Sequence, residues 1–325
     1  MGDDRDLVVV DGWVGGGPYS KGLMAQTLMA TGLSPGQAYS MAAAIARELD
    51  SAEEEALSLG RLRAIARATL GQDEGDEVIA RYRQRQSLRR LEVPLVILIG
   101  GASGVGKSTL ATEVAHRLVI TRVASTDMVR QVMRAFFSID LMPAIHYSSF
   151  EAGGSVRVPL PREADLSRAG FVEQTKAVAV GISSLIERAI AESQSMIVEG
   201  VHLVPGFLDR SRWKDALVLE FVLAVSDRDQ HRQRFAVRDW ETGGIRPLRR
   251  YKEGFPRIRR IQKFILAQTT AHDVPVIDNV AIDDTVKQVM RMTLDAVGRH
   301  MHLDEADKRG DGTAPLKSGA PIPIE

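Results

Sequence analysis

Eight consecutive residues, Gly101-Ala102-Ser103-Gly104-Val105-Gly106-Lys107-Ser108, have the types and spacing of a loop that wraps phosphate. Gly101, Gly104 and Gly106 permit the tight turn that aims backbone N–H groups at phosphate oxygens. A helix opening there adds its positive end. Lys107 is placed to reach the β- and γ-phosphates of a nucleoside triphosphate, the Ser108 hydroxyl to hold Mg²⁺, and Thr109 to extend the cradle. The context fits: the apolar run 93–99 reads as a buried strand, and Leu110, Val114 and Leu118 follow at helical spacing. A glycine-rich turn that binds nothing is the alternative, and a full match between strand and helix argues against it. Lys107 is expected in a solvent-accessible loop.

In a parallel sheet, ligands sit beyond the carboxyl ends of the strands. Asp127, Glu199 and Asp278 fall at or near such ends. Asp127 and Arg130 are one helical turn apart, which suits a carboxylate for an acceptor hydroxyl and an arginine for an acceptor anion. The competing role for Asp127 is helix N-capping, shared with Thr126. Glu199 ends the apolar run Met196-Ile197-Val198, where it would bind Mg²⁺ through water or polarise the nucleophile. Buried without such work, a glutamate there would be costly.

Residues 227–260 hold ten arginines. Arg232, Arg234 and Arg238 follow a strand where nucleotide kinases place a mobile lid, with Gly243-Gly244 as a hinge or loop tip. They are expected to neutralise charge on the transferring phosphoryl group, whereas the other arginines form a solvated face. His146 and Ser148, in the string His146-Tyr147-Ser148-Ser149, are candidates for hydrogen bonds to a small acid, with a structural role equally open for the histidine. His202 shares that ambiguity, and a metal site with so little nearby His or Cys is not expected.

Around these residues the chain reads as α/β. After the loop, strands are expected near 121–124, 195–198, 217–225 and 274–277, alternating with helices, and an irregular stretch spans 138–166. This predicts a nucleotide-kinase-like P-loop NTPase with a five-stranded parallel sheet in the order 2-3-1-4-5. A mainly helical N-terminal domain occupies 1–91, the kinase domain 92–302, and a disordered polar tail 303–325. Within the first domain, helices are expected from Ser20, from Ser34-Pro35 and over 52–69, with a loop at 71–76. The segment Val8-Val9-Val10-Asp11-Gly12 followed by Pro18-Tyr19-Ser20-Lys21-Gly22 resembles the ATP-cone module, without the basic pair usual before its Asp-Gly. A helical unit that orients or dimerises the core is the other reading.

The bulk numbers agree with an enzyme of small molecules. Of 325 residues, 44% are hydrophobic and 26% charged, ordinary values for a soluble globular protein. Zero formal net charge gives no electrostatic pull toward nucleic acid or membrane. The absence of cysteine excludes disulfides and thiolate chemistry. An acidic start without an apolar segment, and no apolar run of spanning length, point to a cytoplasmic protein. A homo-oligomer through the N-terminal unit is open.

The strings Ser125-Thr126-Asp127-Met128-Val129-Arg130, His146-Tyr147-Ser148-Ser149-Phe150, Val198-Glu199-Gly200-Val201-His202-Leu203-Val204-Pro205-Gly206 and His231-Arg232-Gln233-Arg234-Phe235 resemble the 2-phosphoglycerate kinase family. The resemblance covers nearly the whole chain to about residue 300. It implies transfer of the ATP γ-phosphoryl group to 2-phosphoglycerate, a small phosphorylated acid, giving 2,3-bisphosphoglycerate. A kinase for gluconate, shikimate or a nucleotide, and a regulatory ATP-binding switch, are the alternatives.

Overall fold

The computed structural model describes residues 7–8, 20–52, 57–88, 91–157, 161, 164–241 and 248–309. The central element is β3 (Leu95–Gly100), buried along its whole length. A strand covered on both faces needs a run of aliphatic side chains rather than alternation, and Leu-Val-Ile-Leu-Ile is such a run. It pairs in parallel with β5 (Met196–Gly200) on one side and with β6 (Leu217–Ala224) on the other. Outside these lie β4 (Arg122–Ser125) and β7 (Val276–Asp278), completing the order β4-β5-β3-β6-β7. This is the predicted 2-3-1-4-5 arrangement with the P-loop strand at its centre.

Register explains why distant residues meet. Glu199 lies beside Ile99 of β3 and beside Ser125 of β4. The P-loop, the Glu199 turn and the helix start at Asp127 therefore leave the sheet at one edge. Odd positions of β3 (Leu95, Ile97, Ile99) pack with α5 (Lys107–Leu118), α9 (Leu248–His272) and α10 (Ile282–Arg309). Even positions (Val96, Leu98) pack with α7 (Leu166–Ala191), whose Val178, Ile182 and Ile186 recur every fourth residue. The helix α6 (Thr126–Phe136) follows β4 directly, and α8 (Arg228–Glu241) follows β6. Between α6 and α7 run two short 3₁₀ turns, 143–146 and 152–155.

The N-terminal region is built from α1 (Lys21–Met29), α2 (Pro35–Ala52), α3 (Leu59–Leu70) and α4 (Gln72–Leu88). Its buried residues, from Met24 to Tyr82, form a hydrophobic cluster of their own. Ser34 and Gln37 exchange backbone and side-chain bonds in a capping box ahead of α2. The third helix starts later than expected, because Leu57-Ser58 (β2) pairs antiparallel with Leu7-Val8 (β1). The loop expected at 71–76 shrinks to Gly71. That residue turns the chain at φ +90°, and Asp73 and Glu74 then sit favourably in the first turn of α4. α10 continues to Arg309, past the point where a polar tail was expected, and 310–325 lie outside the described residues. So do most of the ATP-cone-like segment and the Gly243-Gly244 hinge. Among the described residues no helix is long and apolar enough to cross a membrane.

Candidate active site

The P-loop is shaped from outside. His231 of α8 donates from Nε2 to the Ser103 carbonyl at 2.8 Å. Asn279, just after β7, donates from Nδ2 to the Val105 carbonyl at 2.8 Å, and Arg234 reaches that carbonyl at 3.1 Å. Thr285 fixes the Asn279 amide through its Oδ1. With these carbonyls held outward, no backbone amide from Ala102 to Gly106 finds an acceptor among the described residues. Gly104 has φ +83°, and a Cβ there would lie 2.5 Å from the Phe235 ring. Gly106 has φ +93°, and its Cβ would strike the Asn279 amide. α5 opens at Gly106 with no capping side chain. Unpaired amides at an uncapped helix start fit a nucleotide phosphate chain.

Lys107 departs from the expected position: it is the first residue of α5 and is buried rather than solvent-accessible. Its stem runs beneath the loop and its ammonium donates to the Ala102 carbonyl at 2.7 Å. Burial lowers its pKa, opposed by the charges of Glu199 and Asp127. The Ser108 hydroxyl donates to Glu199 Oε1 at 2.9 Å, so the buried glutamate has a partner. A hydroxyl and a carboxylate make an oxygen donor pair suited to Mg²⁺, which takes few protein ligands and completes its shell with phosphate and water. Among the described residues no group of three or more acidic, His or Cys ligands forms. Thr109 is exposed on the outer side of α5.

Ser125, not Thr126 or Asp127, caps α6: its side chain accepts from the Met128 amide at 3.1 Å. The cap sits one residue earlier because β4 runs straight into the helix. This frees the Asp127 carboxylate, whose side chain is 65% exposed. Crowding raises its pKa, but His202, Arg130 and Lys107 outweigh that and hold it below the usual carboxylate range. Arg130 is buried. Its Nε donates to Asp127 at 3.3 Å, and one terminal nitrogen bonds the Ile145 and Tyr147 carbonyls at 2.9 and 3.1 Å. Arg130 thus anchors the segment after α6 and aims Asp127.

A second buried chain supports the same segment. Gln174 of α7 donates to the Ala144 and Tyr147 carbonyls at 2.6 and 3.0 Å. Its amide oxygen then faces His202 Nε2 at 2.9 Å, so that nitrogen carries the proton. His202 Nδ1 is left to accept from the Thr126 hydroxyl at 2.8 Å. Gly200 makes room, since a Cβ there would fall 1.8 Å from the Thr126 oxygen. The imidazole is fully buried, and burial lowers its pKa to about 4. The Glu199 turn, the Asp127 helix and the 144–147 segment are one connected unit.

The remaining candidates take positions in the frame. His146 donates from Nε2 to the Phe137 carbonyl at 2.9 Å, and Ser148 donates to Glu151 at 2.6 Å. Arg234, expected over the triphosphate, is turned to the carbonyls of Val105, Asn279 and Val280 because it braces the loop from behind. Arg232 lies over the Phe255 ring at 5.1 Å. Arg238 belongs to α8, but its side chain lies outside the described residues. Asp278 accepts from the Ser226 amide at 3.0 Å and ties β7 to the end of β6. Sequence reasoning missed Asn279, Gln174 and Phe235 as parts of the site. His231 was visible only as a neighbour of arginines.

No protein-family model matches the chain. A shikimate kinase from Acinetobacter baumannii in complex with shikimate aligns at TM-score 0.40 and 13% identity, over 64% of this chain and 97% of that one. That likeness is distant and carries no inference about the site. Full-length relatives are far nearer in sequence. The 2-phosphoglycerate kinase of Methanothermobacter thermautotrophicus is 39% identical over 289 residues, 88% of this chain and 94% of its own length. That of Methanopyrus kandleri is 41% identical over 274 residues, 84% and 83% of the two chains. A P-loop with its lysine and hydroxyl in place, on a chain alike along almost its whole length, makes this protein a phosphotransferase belonging to the 2-phosphoglycerate kinase family.

Proposed function

We propose that the protein transfers the γ-phosphoryl group of ATP to the free hydroxyl of 2-phosphoglycerate, giving 2,3-bisphosphoglycerate. The observation that carries this reading is Asp127: uncommitted to capping, ionised, and aimed by Arg130 at the same sheet edge as Lys107. In this role Asp127 orients the acceptor hydroxyl and takes its proton as the oxygen attacks phosphorus. Lys107 and the amides of 102–106 hold the phosphate chain. Ser108 and Glu199 hold Mg²⁺, which would neutralise phosphate charge. Excluding water from the donor falls to the arginine-rich segment, with Arg232 and Arg238 its candidates on α8.

The reading includes a cytoplasmic location, where ATP is available. It also divides the chain at 91/92, supported by the separate cluster of buried residues before Tyr82. The test is ATP consumption by purified protein with Mg²⁺ and 2-phosphoglycerate, against gluconate, shikimate and nucleoside monophosphates as acceptors. Asp127→Asn should lower kcat by about 10²–10⁴ with the acceptor KM changed little. ATP use that ignores 2-phosphoglycerate would refute the proposal.

A further inference from the structure

The acceptor in this reading carries two anionic groups, and each arginine of α6 already has part of its guanidinium engaged, Arg134 by giving a terminal nitrogen to Gln131. Arg130 commits its Nε to Asp127 and one terminal nitrogen to two carbonyls, which leaves a single terminal nitrogen and no two-pronged fork. His146 and Ser148 are engaged elsewhere. A fully open fork has to come from elsewhere.

α9 supplies one. Arg250, Gly254 and Arg257 form a stripe at i, i+4 and i+7 on that helix. The stripe lies against the segment that follows the Arg130-anchored turn. Arg250 donates to Glu151 at 3.0 Å, and a Cβ on Gly254 would sit 2.6 Å from the Phe150 ring. Arg257 is the next residue along. Its Nε is buried without a hydrogen-bond partner, and among the described residues no hydrogen bond or ion pair engages its guanidinium. Glu151 feels the Arg257 charge but is already held by Arg250 and Ser148.

We propose that Arg257 is the anion-binding residue of the acceptor site, receiving the phosphate or the carboxylate of the phosphorylated acid in its two-pronged fork. A buried guanidinium nitrogen left unpaired is costly, and a bidentate oxyanion is the partner whose geometry satisfies it. Arg250 is paired with a carboxylate and Arg257 is not, so Arg257 is the open fork of this stripe. This assignment rests on the activity proposed above.

The experiment is steady-state kinetics on wild type, Arg257→Gln, Arg257→Lys and Arg134→Gln, varying 2-phosphoglycerate and ATP in turn. Arg134 is the comparison because its Nε is also buried and unpartnered, although Gln131 accepts from its terminal nitrogen. Arg257→Gln should raise the acceptor KM about ten- to a hundredfold with the ATP KM within twofold. Arg257→Lys should recover part of the loss, since it restores charge without the fork. Glycerate, tested as a poor acceptor, separates the two groups. An unchanged kcat/KM for glycerate in Arg257→Gln assigns the phosphate to Arg257, and a matching fall assigns the carboxylate. Thermal melting of Arg257→Lys guards against reading misfolding as lost affinity. If wild type uses 2-phosphoglycerate while Arg257→Gln keeps its acceptor KM, or if Arg134→Gln alone raises it, the Arg257 assignment is wrong. If wild type does not use 2-phosphoglycerate, the activity proposal falls and takes this one with it.

Discussion

Acid should loosen this protein well above the pH at which its carboxylates protonate, because two histidines are folded neutral. His202 and His231 are fully buried, and burial lowers each pKa from 6.5 to about 4. The neighbouring Arg130 and Lys107 charges deepen the effect at His202, and Arg259, Arg234 and Lys107 do so at His231. Asp127 at His202 and the Ser103 bond at His231 oppose it. Between pH 6.5 and 4 the unfolded chain binds protons that the folded chain refuses, so stability falls as pH falls through that window. At pH 5 each histidine costs about 2 kcal/mol, and the pair about 4 kcal/mol. The assay is urea unfolding at pH 7 and pH 5, followed by the fluorescence of Trp213, which is buried in the α7 side of the core. A double variant, His202→Gln with His231→Gln, keeps a donor and an acceptor at each site but cannot titrate. It should lose much less stability over the same interval. A wild-type loss below about 1 kcal/mol, or an equal loss in the double variant, would show that these imidazoles are not held neutral by the fold.

Two further outcomes follow from the P-loop. Lys107→Ala should lower kcat/KM by at least about 10³ while the far-ultraviolet dichroism stays that of wild type, since it removes the cation that meets the phosphates. Retained turnover in a coupled assay would place catalysis elsewhere. Gly104→Ala should destabilise by about 2 kcal/mol or more and raise the ATP KM, because φ is positive there and the new methyl meets the Phe235 ring, which is itself packed on His231 and Tyr251. Gly36→Ala, with nothing within 4 Å, is the control and should melt like wild type.

The sheet was legible because a parallel α/β sheet leaves a coarse signal: aliphatic strands, helical spacing between them, and a motif that fixes which strand is central. That Lys107, Ser108, Asp127 and Glu199 gather at one edge of the sheet was legible for the same reason, since each lies at the carboxyl end of a strand or in the helix start that follows it. The supporting residues were not, because nothing local marks them. Gln174 lies on the buried face of a long amphipathic helix, where its sequence neighbours predict only core. Asn279 does its work at residue 105, 174 positions away in the chain. Arg234 and Arg257 look alike in a basic stretch, yet one is consumed by carbonyls behind the P-loop and the other by nothing described. Spacing could count arginines but could not say which had a partner. That distinction is set by which carbonyls and carboxylates the fold brings alongside, and it is why we propose α9 rather than α6 for the acceptor's charge. Arg130, which the Asp-x-x-Arg spacing marked as the anion hook, is held by three bonds within the fold. A guanidinium bonded to two carbonyls and a carboxylate loses those bonds if it swings toward a ligand, whereas Arg257 gives up none.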